Sequence, residues 1–361
     1  LSEKFTAKKI QKVTDSPVIY AKDAMRGLAI VSDLFDQELR PGFLEENRRN
    51  QERIALGGST KTGAAVAQIT LPDRSPVIQV VDTAPAIPDV ELHIETQIAP
   101  EDVLPLINPQ MLYVRHLGFK GRFADALASG DPSAIELSES VKKVEDLVLA
   151  YPYITAQAVF KFFPCQSDGQ NLNVYSPDGA NVLETFHFGR QSQRDGLCLA
   201  DYVAPSGGPI DYVAMFVTSI GPGVRELAER WMAEGQYLNS HILQALALEG
   251  AEGFAELLHQ QIRQMWGFGD SPEMTHQDLF RTQYRGRRYS FGYPACPRLE
   301  DQEQLFQLLE VSNNLPVELT EGFMMDPESS VSAMVFHHPD ATYFTLSEQD
   351  IEKLEREAAA S

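Results

Sequence analysis

Cysteine is scarce in this 361-residue chain: Cys165, Cys198 and Cys296 stand far apart, odd in number and without a CxxC pair. That pattern argues against a disulfide framework and a thiolate zinc site, and leaves three buried thiols as the expectation. No apolar run approaches the roughly 18 consecutive residues of a membrane-spanning helix. The opening LSEKFTAKKIQK also lacks the apolar stretch of a secretory signal. Positive charge is short as well. With 30 Lys and Arg against 51 Asp and Glu, the formal net charge of -21 repels phosphate backbones, so neither nucleic acid nor a membrane is expected as a partner. The two local exceptions, KFTAKKIQK and ENRRNQER, fit solvated helix faces better than docking surfaces. The chain reads as soluble and cytoplasmic.

A hydrophobic content of 43% is enough for a real core. Residues 17 to 38 suggest a packed helix, with Ser16 as a cap before Pro17 and Ala24, Leu28 and Val31 on one stripe. Residues 41 to 89 lose periodicity and are rich in Gly, Pro, Ser and Thr, the mark of a linker or wrapping segment. Further on, Val141, Val144, Leu147 and Val148 are spaced as a helix. AQAVFKFFPCQ, NLNVYSPDG, NVLETFHFG and DYVAMFVTS follow as runs of strand length, two of them joined by the turn signal SPDG. After Pro222 the helical period returns at Val224, Leu227, Ala228, Trp231 and Met232, then at Phe254, Leu257, Leu258 and Ile262. Short strand-to-strand connections favour antiparallel pairing, so the expected class is α+β: a twisted antiparallel sheet with helices gathered beside it.

Several chemistries can be weighed on motifs alone. DYVAMFVTSIGPGVRELAER looks like strand, glycine turn and helix, but it offers only Gly221 and Gly223, and no strand with an acidic end follows where a ribose would need it. Glu184/His187 and Glu256/His259 are both E-x-x-H, the di-iron spacing. The first pair falls in an apparent strand, where the two side chains point to opposite faces, so no metal site is expected. His337 and His338 are read as structural on the same ground. No nucleophile elbow, P-loop or HExxH is present, and no D-x-H-x-x-G that could ligate a corrin cobalt. What remains is RYSFGYPACP, from Arg288 to Pro297. Arg288 offers a planar fork suited to a carboxylate, and Pro294 and Pro297 stiffen a loop around Gly292, where backbone can approach a ligand. The same residues also fit a rigid surface turn with a solvated Arg.

RRYSFGYPACP, LEDQEQLFQLLE and LTEGFMMDPESSVSAMVFHHPDATYF closely resemble the C-terminal activation domain of cobalamin-dependent methionine synthase. LINPQMLYVRHLGFKG, LCLADYVAP, DYVAMFVTSIG and AEGFAELLHQQIRQMWGF resemble that family too, in the same order, so the likeness spans roughly residues 100 to 345. SPVIYAKDAMRGLAIVSDL is similar to the last helix of the preceding cobalamin-binding domain. The resemblance implies residues 1–45 as the tail of that domain, 46–90 as a linker and 91–361 as an activation domain.

Such a domain binds S-adenosylmethionine and presents its methyl group to cobalt. When cobalamin has slipped to the inert cob(II) state, that methyl and an electron from reduced flavodoxin or a similar donor restore methylcobalamin. By the same resemblance Arg288 grips the methionyl carboxylate, Ser290, Gly292 and Tyr293 belong to the ligand loop, and Tyr343 and Phe344 match a ligand-contacting aromatic pair. Glu252 matches an acidic residue near the site. Asn108 falls where the best-known members carry Asp, so a negative charge near a cationic ligand is given up. No catalytic acid or base is implied, because methyl transfer to a strong nucleophile needs placement above all. The homocysteine, folate and most cobalamin-binding regions of the family have no counterpart here. The expectation is a fragment, toward which the initial Leu leans, or a separately encoded reactivation subunit docking in trans. A module that senses S-adenosylmethionine without turnover stays open beside it.

Overall fold

The computed structural model describes residues 6–14, 16–21, 30, 34–35, 40–55, 73–151, 154–193, 195–221 and 223–358. The chain divides into two compact units, Leu1–Ile69 and Thr70–Ser361. In the first, helix α1 (Arg40–Ala55) carries the basic ENRRNQER run. Arg48 pairs with Glu45 and Glu52, and Arg49 with Glu45, all at helical spacing on exposed side chains. Arg48 and Arg49 of the run therefore lie on a solvated face with their own counter-charges, while Gln51 is buried and donates to the Val18 carbonyl. The helix expected over 17–38 is not present at 17–21, which is irregular, and its stripe of Ala24, Leu28 and Val31 lies outside the described residues.

The second unit is built on one antiparallel sheet of seven strands. In chain order its elements are β1 (His93–Ile98), α2 (Pro132–Leu149), β2 (Ala156–Asp168), β3 (Asn171–Tyr175), β4 (Val182–His187) and β5 (Asp211–Ser219). Then follow α3 (Val224–Ala233), α4 (Tyr237–Met265), β6 (Arg287–Tyr289), α5 (Gln302–Leu308), β7 (Ser330–Phe336) and α6 (Glu348–Ala358). The strand order is β4-β3-β2-β5-β7-β6, and β1 pairs with the first half of β2. The long strand β2 lines up with β5 over its whole middle, Phe160 opposite Phe216, while its far end pairs with β3.

Both faces of this sheet are buried, which is why its central strands read as unbroken apolar runs instead of alternating ones. Ala158, Phe160 and Phe162 of β2, Ala214 and Phe216 of β5, and Ala333 and Val335 of β7 face α2, α3 and α4. The intervening residues, among them Val159, Phe163, Met215, Val217, Met334 and Phe336, face the loop structure and short helices of the C-terminal third. Helices thus gather on one side, as the α+β reading requires. Helix α2 starts where Asp131 accepts hydrogen bonds from the Ser133 and Ala134 amides ahead of Pro132. Its stripe of Val141, Val144 and Val148 is buried, but Leu147 is exposed, as is Met232 on α3. Helix α4 begins well before Phe254 and runs 29 residues.

A strap from Asp73 to Pro85 holds to this unit. Arg190 and Asp201 form a buried two-pronged ion pair, with side chains 2% and 1% exposed. The Ser75 amide donates to Asp201 (3.0 Å), Arg190 donates to the Asp73 carbonyl (2.8 Å), and Arg74 reaches the carbonyls of Asp201 and Val203. Further along, His338 Nε2 meets the Gln79 carbonyl at 2.7 Å and the Trp266 indole donates to the Pro85 carbonyl. The stretch 46–90 thus contains the end of α1 and this packed strap.

Candidate functional site

The edge strand β6 and the middle of α4 meet at a cleft of about 480 Å³. Arg288 sits in β6 opposite Val335 of β7, so the sheet register fixes its backbone and aims its side chain at α4. There Glu249, Glu252 and Glu256 recur at helical spacing and form one acidic row along the cleft. Glu252 Oε2 lies 2.9 Å from Arg288 Nη2, and Glu256 Oε2 lies 3.6 Å from Arg288 Nε. The Tyr293 hydroxyl donates to Glu252 (3.3 Å), the Tyr284 hydroxyl to Glu256 (3.3 Å), and His116 Nε2 meets Glu249 at 2.8 Å.

Burial works against the charges of Arg288, Glu256 and Glu249. It pulls the Arg288 guanidinium down, but Glu252 and Glu256 outweigh it, and the group stays firmly cationic. It pushes the Glu256 carboxyl up although Arg288 and Arg263 pull it back, and it pushes Glu249 up against the pull of His116. His259 is driven well below its ordinary value, first by burial and then by Arg263, Arg288 and Arg287, and is a neutral ring against Tyr284.

Asn108 reaches the cleft because a glycine lets two backbones approach. A Cβ on Gly253 would stand 3.3 Å from the Leu106 carbonyl carbon and the Val103 carbonyl oxygen. The segment before Asn108 therefore lies directly on α4. Its side-chain oxygen accepts from the amides of Gln110 (3.0 Å) and Met111 (3.4 Å), so the acceptor that Asn retains is committed to starting the short π-helix Gln110–His116.

A second cavity of about 400 Å³ shares Glu252, Arg288, Tyr293 and Tyr343 with the first and adds Ser290, Phe344 and Cys296 to its walls. Of the residues expected at the site, Asn108, Glu252, Arg288, Tyr293 and Tyr343 line the larger cleft, while Ser290 and Phe344 line only the smaller. Tyr343 is 51% exposed and lines both cavities, whereas Phe344 is 9% exposed and lines only the smaller one. Gly292 lines neither cavity. It turns the chain at φ +83°, its amide donating to the Cys296 carbonyl at 2.8 Å. Glu249, Glu256, His116 and Tyr284 are cleft residues that motif reading passed over. The glutamates were visible as a helical repeat around Glu252, whereas nothing local marks His116 or Tyr284.

Among the described residues no group of three or more His, Cys, Asp or Glu is arranged to hold a metal ion. Glu184 and His187 lie in β4 and have different partners, Gln304 for the first and Asn171 with Glu357 for the second. His337 meets Asp211 at 2.7 Å, and His338 the strap, each buried in its own face. The strand β5 and helix α3 exist, but β5 is antiparallel to both its sheet neighbours, unlike the parallel setting of a nucleotide-binding turn. All three cysteines are free and buried, and burial pushes each thiol up, Cys198 to about 12. No described helix is long and apolar enough to cross a membrane.

Comparison with known proteins places this geometry. The family described as vitamin B12 dependent methionine synthase, activation domain, matches residues 101–360. Methionine synthase of Mycobacterium tuberculosis (strain ATCC 25618 / H37Rv) is 27% identical over 382 aligned positions, which take in 96% of this chain and 31% of that protein. The chain thus spans about a third of the length of that relative. A crystal structure of the MetH reactivation domain bound to AdoHcy superposes with a TM-score of 0.70 at 27% identity, covering 77% of this chain and 88% of the other.

Proposed function

The chain belongs to the family of vitamin B12 dependent methionine synthase activation domains, and from that membership we propose that its cleft binds S-adenosylmethionine for the reductive methylation of cobalamin carried by a neighbouring domain or a partner chain. The observation that carries the reading is the pairing of one firmly cationic fork, Arg288, with a row of three carboxylates on α4. S-adenosylmethionine has one carboxylate and two cationic centres, an ammonium and a sulfonium. A wall with one Arg and an excess of Glu complements that distribution. The cleft volume lies within the roughly 300–1,000 Å³ of small-molecule sites.

In this reading Arg288 takes the methionyl carboxylate, Glu252 turns toward the ammonium, and Tyr293 and Tyr343 flank the ligand at the cleft mouth. The bound ligand supplies an activated methyl group. The chain supplies its orientation, and the acidic row keeps the cationic end from leaving in any other pose. An electron from reduced flavodoxin or a similar carrier belongs to the same proposal, as do the methyltransferase role within a larger methionine synthase and a cytoplasmic setting. We assign 91–361 to the activation domain proper, with the strap as its support. Ser290, Gly292 and Phe344 shape the loop and the smaller cavity.

Calorimetric titration of the chain with S-adenosylmethionine is the direct test. Saturable binding is expected. A charge-assisted bond of about 1.5–3 kcal/mol implies that Arg288→Ala weakens it by roughly ten- to a hundredfold. Absence of binding to the folded wild-type chain would defeat the proposal, and unchanged affinity in a folded variant would remove Arg288 from the site.

A further inference from the structure

Five buried polar atoms without a hydrogen-bond partner among the described residues gather behind Arg288: Glu256 Oε1, Arg288 Nε, Arg263 Nη1 and both ring nitrogens of His259. Glu256 is their common neighbour, at 3.6 Å from Arg288 Nε, 3.8 Å from Arg263 Nη1 and 4.0 Å from His259 Nδ1. These are ion-pair distances, not hydrogen bonds. Its other oxygen receives the Tyr284 hydroxyl, and Tyr284 in turn lies over the Arg263 guanidinium at 3.9 Å. Arg263 has its own carboxylate in Asp270, so its charge is already balanced. His259 is neutral and adds no competing cation.

Arg288 therefore stands between two carboxylates one helical turn apart, one more than its charge requires. They differ in freedom: the Glu252 side chain is 38% exposed and lies on the cleft side, whereas that of Glu256 is 14% exposed and walled by His259, Arg263 and Tyr284. A ligand carboxylate arriving at the outer edge of the guanidinium meets Glu252 there, and Glu252 can turn away into the cleft. Glu256 cannot.

We infer that Glu256 is a positioning residue: it holds Arg288 by its Nε edge, so that the Nη edge faces the cleft and passes from Glu252 to the carboxylate of an incoming ligand. The inference rests on the ligand reading above and deepens it, because it divides two acidic residues of one helix into a resident partner and a displaceable one. Removing the resident charge leaves the fork held only by Glu252, the group the ligand must displace, and carboxylate capture then competes with the last remaining counter-charge.

The test uses the 361-residue chain, its Glu256→Gln and Arg288→Ala variants and their double variant, titrated with S-adenosylmethionine and with its decarboxylated analogue. Glu256→Gln should weaken S-adenosylmethionine about tenfold, leave the decarboxylated analogue unchanged, and add nothing in the Arg288→Ala background. An equal loss for both ligands, an additive loss in the double variant, or no loss at all would overturn the inference. If the wild-type chain binds neither ligand, the ligand reading has failed, and the positioning claim is then decided without ligand. The Arg288 side-chain Nε–H resonance, assigned through Arg288→Lys, should exchange slowly with water in the wild type and faster in Glu256→Gln. Unchanged exchange would defeat the claim on its own.

Discussion

Burial and charge conflict at Asp301. It is 6% exposed, and its nearest cation is Arg298 at 3.2 Å. Burial raises its carboxyl from 3.8 to about 6, against the pull of Arg298 and with a push from Glu300. Between those values the folded chain keeps a proton that the unfolded chain has released, so stability falls as pH rises through the window and levels off above it. The ionised group therefore opposes folding at neutral pH, by an amount on the order of 3 kcal/mol. Asp301→Asn should raise the melting temperature at pH 7.5 and lose that advantage near pH 4. A difference that does not change with pH would mean the Arg298 contact compensates fully. At Arg288 the balance runs the other way: carboxylates outweigh burial, and the cation is present at every pH where the fold exists.

Helix α4 shows what an element contributes beyond its residues. Its acidic row works only because the segment Val103–Asn108 lies against it, and that approach depends on Gly253, where the methyl of an Ala would already sit 3.3 Å from two backbone atoms. A Gly inside a helix costs roughly 1 kcal/mol against Ala, so its presence in a 29-residue helix marks a packing demand. Gly253→Val adds two further methyl carbons against backbone that cannot rotate away. We expect a loss of about 1–3 kcal/mol in denaturant unfolding, together with weaker S-adenosylmethionine binding as Asn108 and the cleft wall are pushed outward. Full stability with full affinity would show that the segment adjusts freely.

At the scale of the whole molecule, the strap supports the domain assigned to 91–361. Ser75 and Ile78 are 2% and 6% exposed, and the strap reaches the Arg190–Asp201 pair, His338 and Trp266. A chain trimmed to 91–361 exposes the apolar surface under Ile78, worth about 1.5–3 kcal/mol, and strips donors and acceptors from a buried ion pair. It should melt well below a chain beginning at Thr70. Equal melting temperatures would show that the strap adds nothing to the stability of 91–361.

Much of this architecture is determined by the sequence alone. The α+β class followed from strand-length apolar runs with short connections and from stripes such as Val141, Val144 and Val148, because period and turn chemistry are local properties of the chain. Local too was the expectation of three buried thiols, since none stands in a paired or ligating pattern. RYSFGYPACP singled out Arg288 as a carboxylate fork, but it could not separate a ligand clamp from a solvated turn. Tertiary structure showed that the fork is not solvated, by bringing Glu252 and Glu256, from earlier in the chain, onto the same guanidinium. It alone showed that Tyr343 opens to the cleft while Phe344 enters the core, that Asn108 spends its acceptor on its own turn, and that His116 and Tyr284 join the site. The physical reason is common to all of these: burial, partner choice and the direction of a side chain depend on what packs against it, and those contacts come from residues distant in sequence.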